Sequence, residues 1–285
     1  MTVTDLSCTL AAIGLHPVKS CGALAPREAL LTETGLDLDR AWMVTDPQGE
    51  MLTQRELPAM ALIRPTMRLS DLVLRAPGML GLHLSLDAVE TLTRVRVWDD
   101  IVRAWDMGAL AAQWFTDYLG RPARLVRFDP DEQRLADRQW TGEAEAPTAF
   151  ADGFPLLVTS TASLAELNRR LAEGGHAPVG PDRFRANLVL DGLQAFEEDH
   201  IDELVLDTDG GPVRLKLVKP CSRCQIPNID PATGTMGAEP GRTLAGFRSD
   251  ARVGGAVTFG MNAIVLEGAD RLLRVGQTAH ASLKF

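Results

Sequence analysis

Lys219–Gly234, KPCSRCQIPNIDPATG, follows the apolar run Val213–Val218 and holds two of the chain's four cysteines, Cys221 and Cys224. A Cys-x-x-Cys pair that opens a helix in a βαβ setting marks a thioredoxin-like dithiol. Here the residues after Cys224 include Pro227, Pro231 and Gly234, which cannot start a regular helix. The stretch instead reads as a strand end running into turns, in keeping with a β-rich chain.

The rest of the chain has the same texture. Within residues 1–125 the alternation of apolar and polar residues predicts strands at Leu10–Leu15, Ala29–Thr34, Ala41–Asp46, Glu50–Gln54, Met67–Leu69, Leu72–Arg75, Leu82–Leu86, Leu92–Trp98 and Val102–Asp106. Asp46-Pro47-Gln48-Gly49 suits a type I turn, and Asp99-Asp100 turns the last pair. So many short strands suggest a barrel or a strongly curved sheet. One helix, Ala109–Leu119, is predicted from the apolar stripe Leu110, Trp114, Tyr118 widened by Ala111, Phe115 and Leu119, with Gly120 and Pro122 ending it. Phe128–Asp152 is polar and reads as a long surface loop, either shaping access to a site or merely connecting. A strand at Leu156–Thr159, a helix at Ser163–Leu171 with a Ser163/Glu166 capping box, and strands at Asn187–Leu190, Glu203–Leu206, Val213–Val218, Val257–Leu266 and Leu272–Ala279 complete the pattern.

Composition narrows the function. The 285 residues carry 29 Lys plus Arg against 38 Asp plus Glu, a net charge of −9, which argues against general nucleic-acid binding. Hydrophobic residues at 45% and charged residues at 24% exclude a disordered or fibrous chain. No run approaches the ~18 apolar residues that a membrane helix requires. The N-terminal MTVTDLSCTLAAIGLHPVKS has Asp5 before its apolar run and no early Lys or Arg, the wrong charge for a secretory or mitochondrial address. The expectation is a cytoplasmic protein with no membrane partner and reduced thiols.

The cysteine pair keeps several meanings at this level. It could be a dithiol, half of a zinc site completed by Cys8 and Cys21, a single functional thiolate stabilised by Arg223, or two small apolar residues. The five histidines are scattered without i, i+4 pairs, and His16 before Pro17 reads as a strand-end residue. The companions of the pair are cationic turns far apart in sequence: Val18-Lys19-Ser20, Asp39-Arg40-Ala41-Trp42 and Arg183-Phe184-Arg185-Ala186-Asn187. Alone, each is ordinary solvated surface. Together Lys19, Ser20, Arg40, Arg185 and Asn187 would suit a phosphate-bearing ligand, with arginine forks, a lysine point charge and neutral hydrogen bonds. Asp152-Gly153-Phe154 could add backbone N–H donors.

These segments, with Thr53-Gln54-Arg55-Glu56, Phe259-Gly260-Met261-Asn262 and Arg274-Val275-Gly276, resemble MOSC-domain proteins that carry an N-terminal β-barrel domain. That family includes the mitochondrial amidoxime-reducing components and bacterial YcbX-like proteins, and more distantly the C-terminal domain of molybdenum-cofactor sulfurase. The resemblance implies an α+β, β-rich fold: a barrel-like domain at 1–125 packed on a MOSC barrel at 126–285, with a few peripheral helices. It implies a molybdenum cofactor (Mo-molybdopterin), with Cys224 as metal ligand and no pyridoxal phosphate. Lys19, Ser20, Arg40, Arg185, Asn187, Ser222, Arg223 and Asn262 would hold the cofactor, and so would Gly153 and Phe154, where this chain departs from a serine/threonine-rich cradle loop. Asp230 follows as a candidate catalytic residue. The implied activity is reduction of N-hydroxylated small molecules to amines, with a non-catalytic cofactor carrier as the alternative. No cysteine follows Cys224, so no iron–sulfur cluster is expected there, and electrons would come from a separate ferredoxin- or flavin-reductase-type protein.

Overall fold

The computed structural model describes residues 5–284. Seven strands close into a barrel in the order Leu156–Ser160, Leu188–Asp191, Leu6–Ile13, Thr278–Leu283, Ile201–Leu206, Val213–Ser222 and Ala256–Glu267, the last pairing back onto the first. The short strand Ser249–Asp250 extends the edge of Ala256–Glu267. Closure removes free sheet edges and turns one face of every strand inward. Leu10, Val158, Leu188, Leu204, Leu215 and Met261 fill that interior, all essentially inaccessible.

The first strand belongs to this barrel although the expected boundary puts it in the N-terminal domain. Leu6–Ile13 lies between Leu188–Asp191 and Thr278–Leu283, so the barrel draws on both sides of position 125. Other N-terminal strands form a four-stranded antiparallel sheet (Trp42–Thr45, Arg124–Phe128, Asp100–Asp106, Thr91–Val97) and a three-stranded one (Arg64–Met67, Asp71–Arg75, Leu82–Ser85), while Glu28–Thr32 and Gly35–Leu36 join Leu272–Arg274 in a third small sheet. Val44, Leu72, Leu74, Trp114 and Phe115 pack between the first two of these sheets and the helix Gly108–Leu119.

Several local expectations change. Glu50–Gln54 makes only isolated bridges, because the chain turns at Thr53, whose carbonyl accepts from Glu56 N. The hairpin turn is Trp98-Asp99 rather than Asp99-Asp100, and Trp98 adopts a left-handed φ of 57°. Leu110 is 74% exposed, since at 100° per residue it falls about 90° from the centre of the stripe set by Ala111, Trp114 and Phe115. Ser160, not Ser163, caps the helix Thr161–Glu173, accepting from Ser163 N at 3.1 Å, while Glu166 binds Arg169 and Arg170. Leu272–Ala279 splits at Gly276, whose φ of 96° breaks the strand.

Phe128–Asp152 is not a loose surface loop. Arg134, nearly buried, donates to the carbonyls of Ala149, Ala151 and Asp152 at 3.0, 2.7 and 3.2 Å and pairs with Asp100 at 2.7 Å. Those bonds fix the backbone that leads into Gly153.

Candidate functional site

Where the barrel meets the N-terminal sheets, an open cleft of about 770 Å³, solvent mouth included, collects residues from seven segments of the chain. Lys19 and Ser20 come from the turn after the first strand, Arg40 from the turn before Trp42, and Gly153 and Phe154 from the segment pinned by Arg134. Arg185 and Asn187 precede the strand Leu188–Asp191. Ser222, Arg223 and Cys224 end the long strand Val213–Ser222, and Asn262 lies on its neighbour Ala256–Glu267.

Asp230 stands apart. Its carboxylate accepts from Ala232 N at 2.8 Å and its carbonyl from Gly234 N at 2.7 Å, and it does not border the cleft. It shapes the turn after the cysteines, which an Asx residue does without any ligand.

The cleft is cationic in an acidic protein. Lys19, Arg40, Arg55, Arg185 and Arg223 line it against one carboxylate, Asp152. Lys19 Nζ contacts Asp152 Oδ1 at 2.5 Å and the Phe150 carbonyl at 2.7 Å. Burial pulls the Lys19 pKa below its ordinary value in spite of Asp152. Asp152 is 63% exposed; partial desolvation would raise its carboxyl, but Lys19, Arg55 and Arg40 outweigh that and hold it well below the usual range. Burial lowers Arg185 to about 10, with Arg40 adding to the effect.

Arg40 and Asn187 tie the two halves of the molecule together. Arg40 donates to Asp39, to Asn187 Oδ1 at 3.0 Å and to the Arg185 carbonyl at 2.9 Å. Asn187 Oδ1 also accepts from Leu157 N at 3.1 Å, and Nδ2 donates to the Gly14 carbonyl at 3.2 Å and Asp39 Oδ2 at 2.9 Å. Both amide hydrogens and both lone pairs are thereby engaged. Asn187 borders the cleft, but its amide has no capacity left for a ligand. Burial would raise the Asp39 carboxyl, yet Arg40 and His16 hold it at about 2.

Three features favour an anionic occupant. Arg185 Nη2 and Arg223 Nε are buried donors without a protein partner. A Cβ at Gly153 would meet nothing within 4 Å, so the backbone there is open to close approach. Ser20, Arg40 and Arg185 all take left-handed φ values, 66°, 49° and 58°, and Trp98 at the rim makes a fourth of the seven such non-glycine residues described. Strain of this kind, about 1–3 kcal/mol per residue, gathers where function fixes the backbone.

Three contributors were not assigned to the site from sequence. Thr53 and Arg55 belong to the Thr53-Gln54-Arg55-Glu56 motif, which carried the signal. Trp98 stacks over Arg55 and Lys19, 4.5 and 5.9 Å from its ring centroid. A tryptophan at a hairpin turn was its only mark.

The cysteines differ. Cys224 is exposed in the cleft wall, whereas Cys221 is partly buried and accepts from Arg223 Nη1 at 3.0 Å. Cys8 and Cys21 lie buried elsewhere; burial pushes their thiols up to about 11 and 12.

A profile described as MOSC N-terminal beta barrel domain matches residues 7–122, and one described as MOSC domain matches residues 145–280. Mitochondrial amidoxime-reducing component 1 of Homo sapiens is 36% identical over 250 residues, 84% of this chain and 72% of that protein. Mitochondrial amidoxime reducing component 2 of Rattus norvegicus is 34% identical over 252 residues, with the same two coverages. The molybdenum cofactor sulfurase of Homo sapiens is 31% identical over 265 residues, 87% of this chain but 29% of that protein.

Proposed function

Because the chain belongs to the family that joins a MOSC N-terminal barrel domain to a MOSC domain, together with the mitochondrial amidoxime-reducing components, we propose that it is a molybdenum-cofactor-dependent reductase of N-hydroxylated small molecules such as amidoximes. The observation that carries this reading is one cleft in which Cys224 shares walls with Lys19, Arg40, Arg55, Arg185 and Arg223. The donor set suits the group: an exposed soft sulfur for the metal, and clustered cations with orphaned N–H groups for a phosphate.

When bound, the cofactor supplies two-electron removal of oxygen from the substrate, released as water. The chain's part is placement. Cys224 would ligate the metal. Arg185 and Arg223 offer free N–H donors, Lys19 a buried point charge, Ser20 and Ser222 hydroxyls, and Gly153 an unobstructed backbone. Asn262 and Phe154 line the cleft and would border the cofactor. Asn187 and Arg40 hold the cationic turns in register. Trp98 packs its ring against Arg55 and Lys19, which line the cleft. Asp230 shapes the turn after Cys224 and lies outside the cleft lining.

Electrons would come from a separate ferredoxin- or flavin-reductase-type donor. No described helix is long and apolar enough to cross a membrane. Four unpaired thiols fit a reducing compartment, so a cytoplasmic setting belongs to the proposal. The match to the sulfurase favours one second reading, a module that holds or hands over the cofactor without turnover. Purified protein assayed for molybdenum and pterin, and for benzamidoxime reduction with reduced methyl viologen, separates the two. The reductase reading expects loading and turnover together; full loading with no reduction of any N-hydroxylated compound leaves only the carrier.

A further inference from the structure

The cleft's one carboxylate has a free side. Lys19 Nζ meets Asp152 at Oδ1, and among the described residues nothing donates to Oδ2, which belongs to an exposed side chain on the cleft wall. Lys19, Arg55 and Arg40 keep this carboxyl ionised. An ionised carboxylate accepts hydrogen bonds and donates none. In a lining otherwise rich in cationic donors, Oδ2 is where the N–H of a ligand finds a charged acceptor.

The same Lys19 ammonium lies 5.9 Å from the centre of the Trp98 indole, and Arg55 packs on that ring at 4.5 Å. Asp152 and Trp98 therefore flank one corner of the cleft. Trp98 is 40% exposed, and its φ of 57° is a conformation that bulky side chains rarely take. Asparagine, aspartate or glycine usually occupies this position in a two-residue hairpin turn. The fold thus keeps a large, partly open aromatic surface where turn geometry alone favours a small residue. A planar ring can pack against it.

We propose that this corner selects the substrate: Asp152 Oδ2 accepts an N–H from the amidoxime nitrogen that does not carry the hydroxyl, and Trp98 packs against an aryl or heteroaryl group conjugated to the same carbon. The proposal rests on the reductase reading and narrows its substrates to planar aromatic amidoximes that keep a hydrogen on that nitrogen. Aliphatic amidoximes lose the ring contact, and N,N-dialkyl amidoximes lose the hydrogen bond. Both residues determine specificity without ligating the metal.

Benzamidoxime is uncharged at neutral pH and is not reduced when no electron donor is present. Its binding to the purified full chain is therefore titrated without turnover, by calorimetry or ligand-observed NMR. Wild type should bind it about tenfold more tightly than N,N-dimethylbenzamidoxime, and about tenfold more tightly than acetamidoxime. Asp152→Asn should erase the first preference, because Lys19 holds the amide oxygen and turns the NH2 group toward the N–H of the ligand. Trp98→Gly should erase the second and keep the first, and glycine adopts a φ of 57° freely. Folded variants that weaken all three ligands alike would overturn the assignment. So would equal affinity of wild type for benzamidoxime and its N,N-dimethyl derivative, or no saturation by benzamidoxime up to ~10 mM. The wild-type comparison stands even where a variant does not fold. Equal affinities in a protein that reduces benzamidoxime would remove this subsite and leave the reductase reading. The expected preferences in a protein that reduces no N-hydroxylated compound would do the reverse.

Discussion

Arg223 Nη1 donates to the sulfur of Cys221 at 3.0 Å, so the cation between the two cysteines engages the first and leaves the second exposed in the cleft. Its other terminal nitrogen donates to the Phe184 carbonyl at 3.0 Å, which fixes the turn from the barrel side. The pair is therefore asymmetric: both cysteines border the cleft, the first partly buried and held by Arg223, the second exposed.

Alkylation reads that asymmetry. With iodoacetamide at pH 8, Cys224 should react before Cys221, and both well ahead of Cys8 and Cys21, whose burial keeps their thiols protonated. Peptide mapping by mass spectrometry gives the order; early labelling of Cys21 would contradict the packing.

Asn187 is 1% exposed and makes four hydrogen bonds, so its removal is a folding lesion before it is a binding one. Asn187→Leu should cost about 2–4 kcal/mol in urea denaturation, because Leu157 N and the Gly14 carbonyl lose their partner. Arg55→Ala, at the cleft surface, should stay within about 1 kcal/mol of wild type.

Lys19→Met separates binding from folding. It replaces a buried cation with an apolar side chain of similar length and leaves Asp152, 63% exposed, free to hydrate. Stability should change by no more than about 1 kcal/mol. Molybdenum and pterin content of the purified protein should fall about tenfold or more, the size expected for loss of a charge-assisted contact.

His16 sets the acid limit. Burial, with Arg40 and Arg185 nearby, lowers its pKa from 6.5 to about 3, although Asp39 opposes the shift. Between those values the unfolded chain binds the extra proton, so stability falls as pH falls from about 6.5 toward 3. His16 is 1% exposed, and the loss it causes between pH 7 and about 4.5 is about 3 kcal/mol. Denaturation curves of wild type and His16→Gln at both pH values check it. The variant should lose less stability than wild type; equal losses would contradict the assignment.

Much of the barrel is legible in sequence because its strands are short, alternating and punctuated by turns. Leu204, Leu206, Val213, Leu215 and Leu217 point inward at every second position, as their spacing predicts. Partnership is not legible. Nothing local in Leu6–Ile13 says that it pairs with Thr278–Leu283, because register across most of a chain is decided by the whole core. The cleft shows the same division. Family resemblance marks Lys19, Arg40, Arg185 and Cys224, and they share one cavity. That Asn187 is saturated by protein groups, and that Asp230 merely shapes a turn, depends on hydrogen-bond geometry that residue type does not encode. Phe128–Asp152 misled because its polar composition hides Arg134, whose charge is buried among carbonyls instead of solvated.

The central claim is that the exposed cysteine of the pair ligates a metal in a cationic cleft. Elemental analysis of molybdenum in wild type, Cys221→Ser and Cys224→Ser, purified side by side from molybdate-supplied cells, tests it most directly. The account predicts near-stoichiometric metal in wild type and in Cys221→Ser, whose hydroxyl can still accept from Arg223, and loss of most of it in Cys224→Ser. Equal molybdenum in the two variants, or none in wild type whose pterin is present, would contradict it.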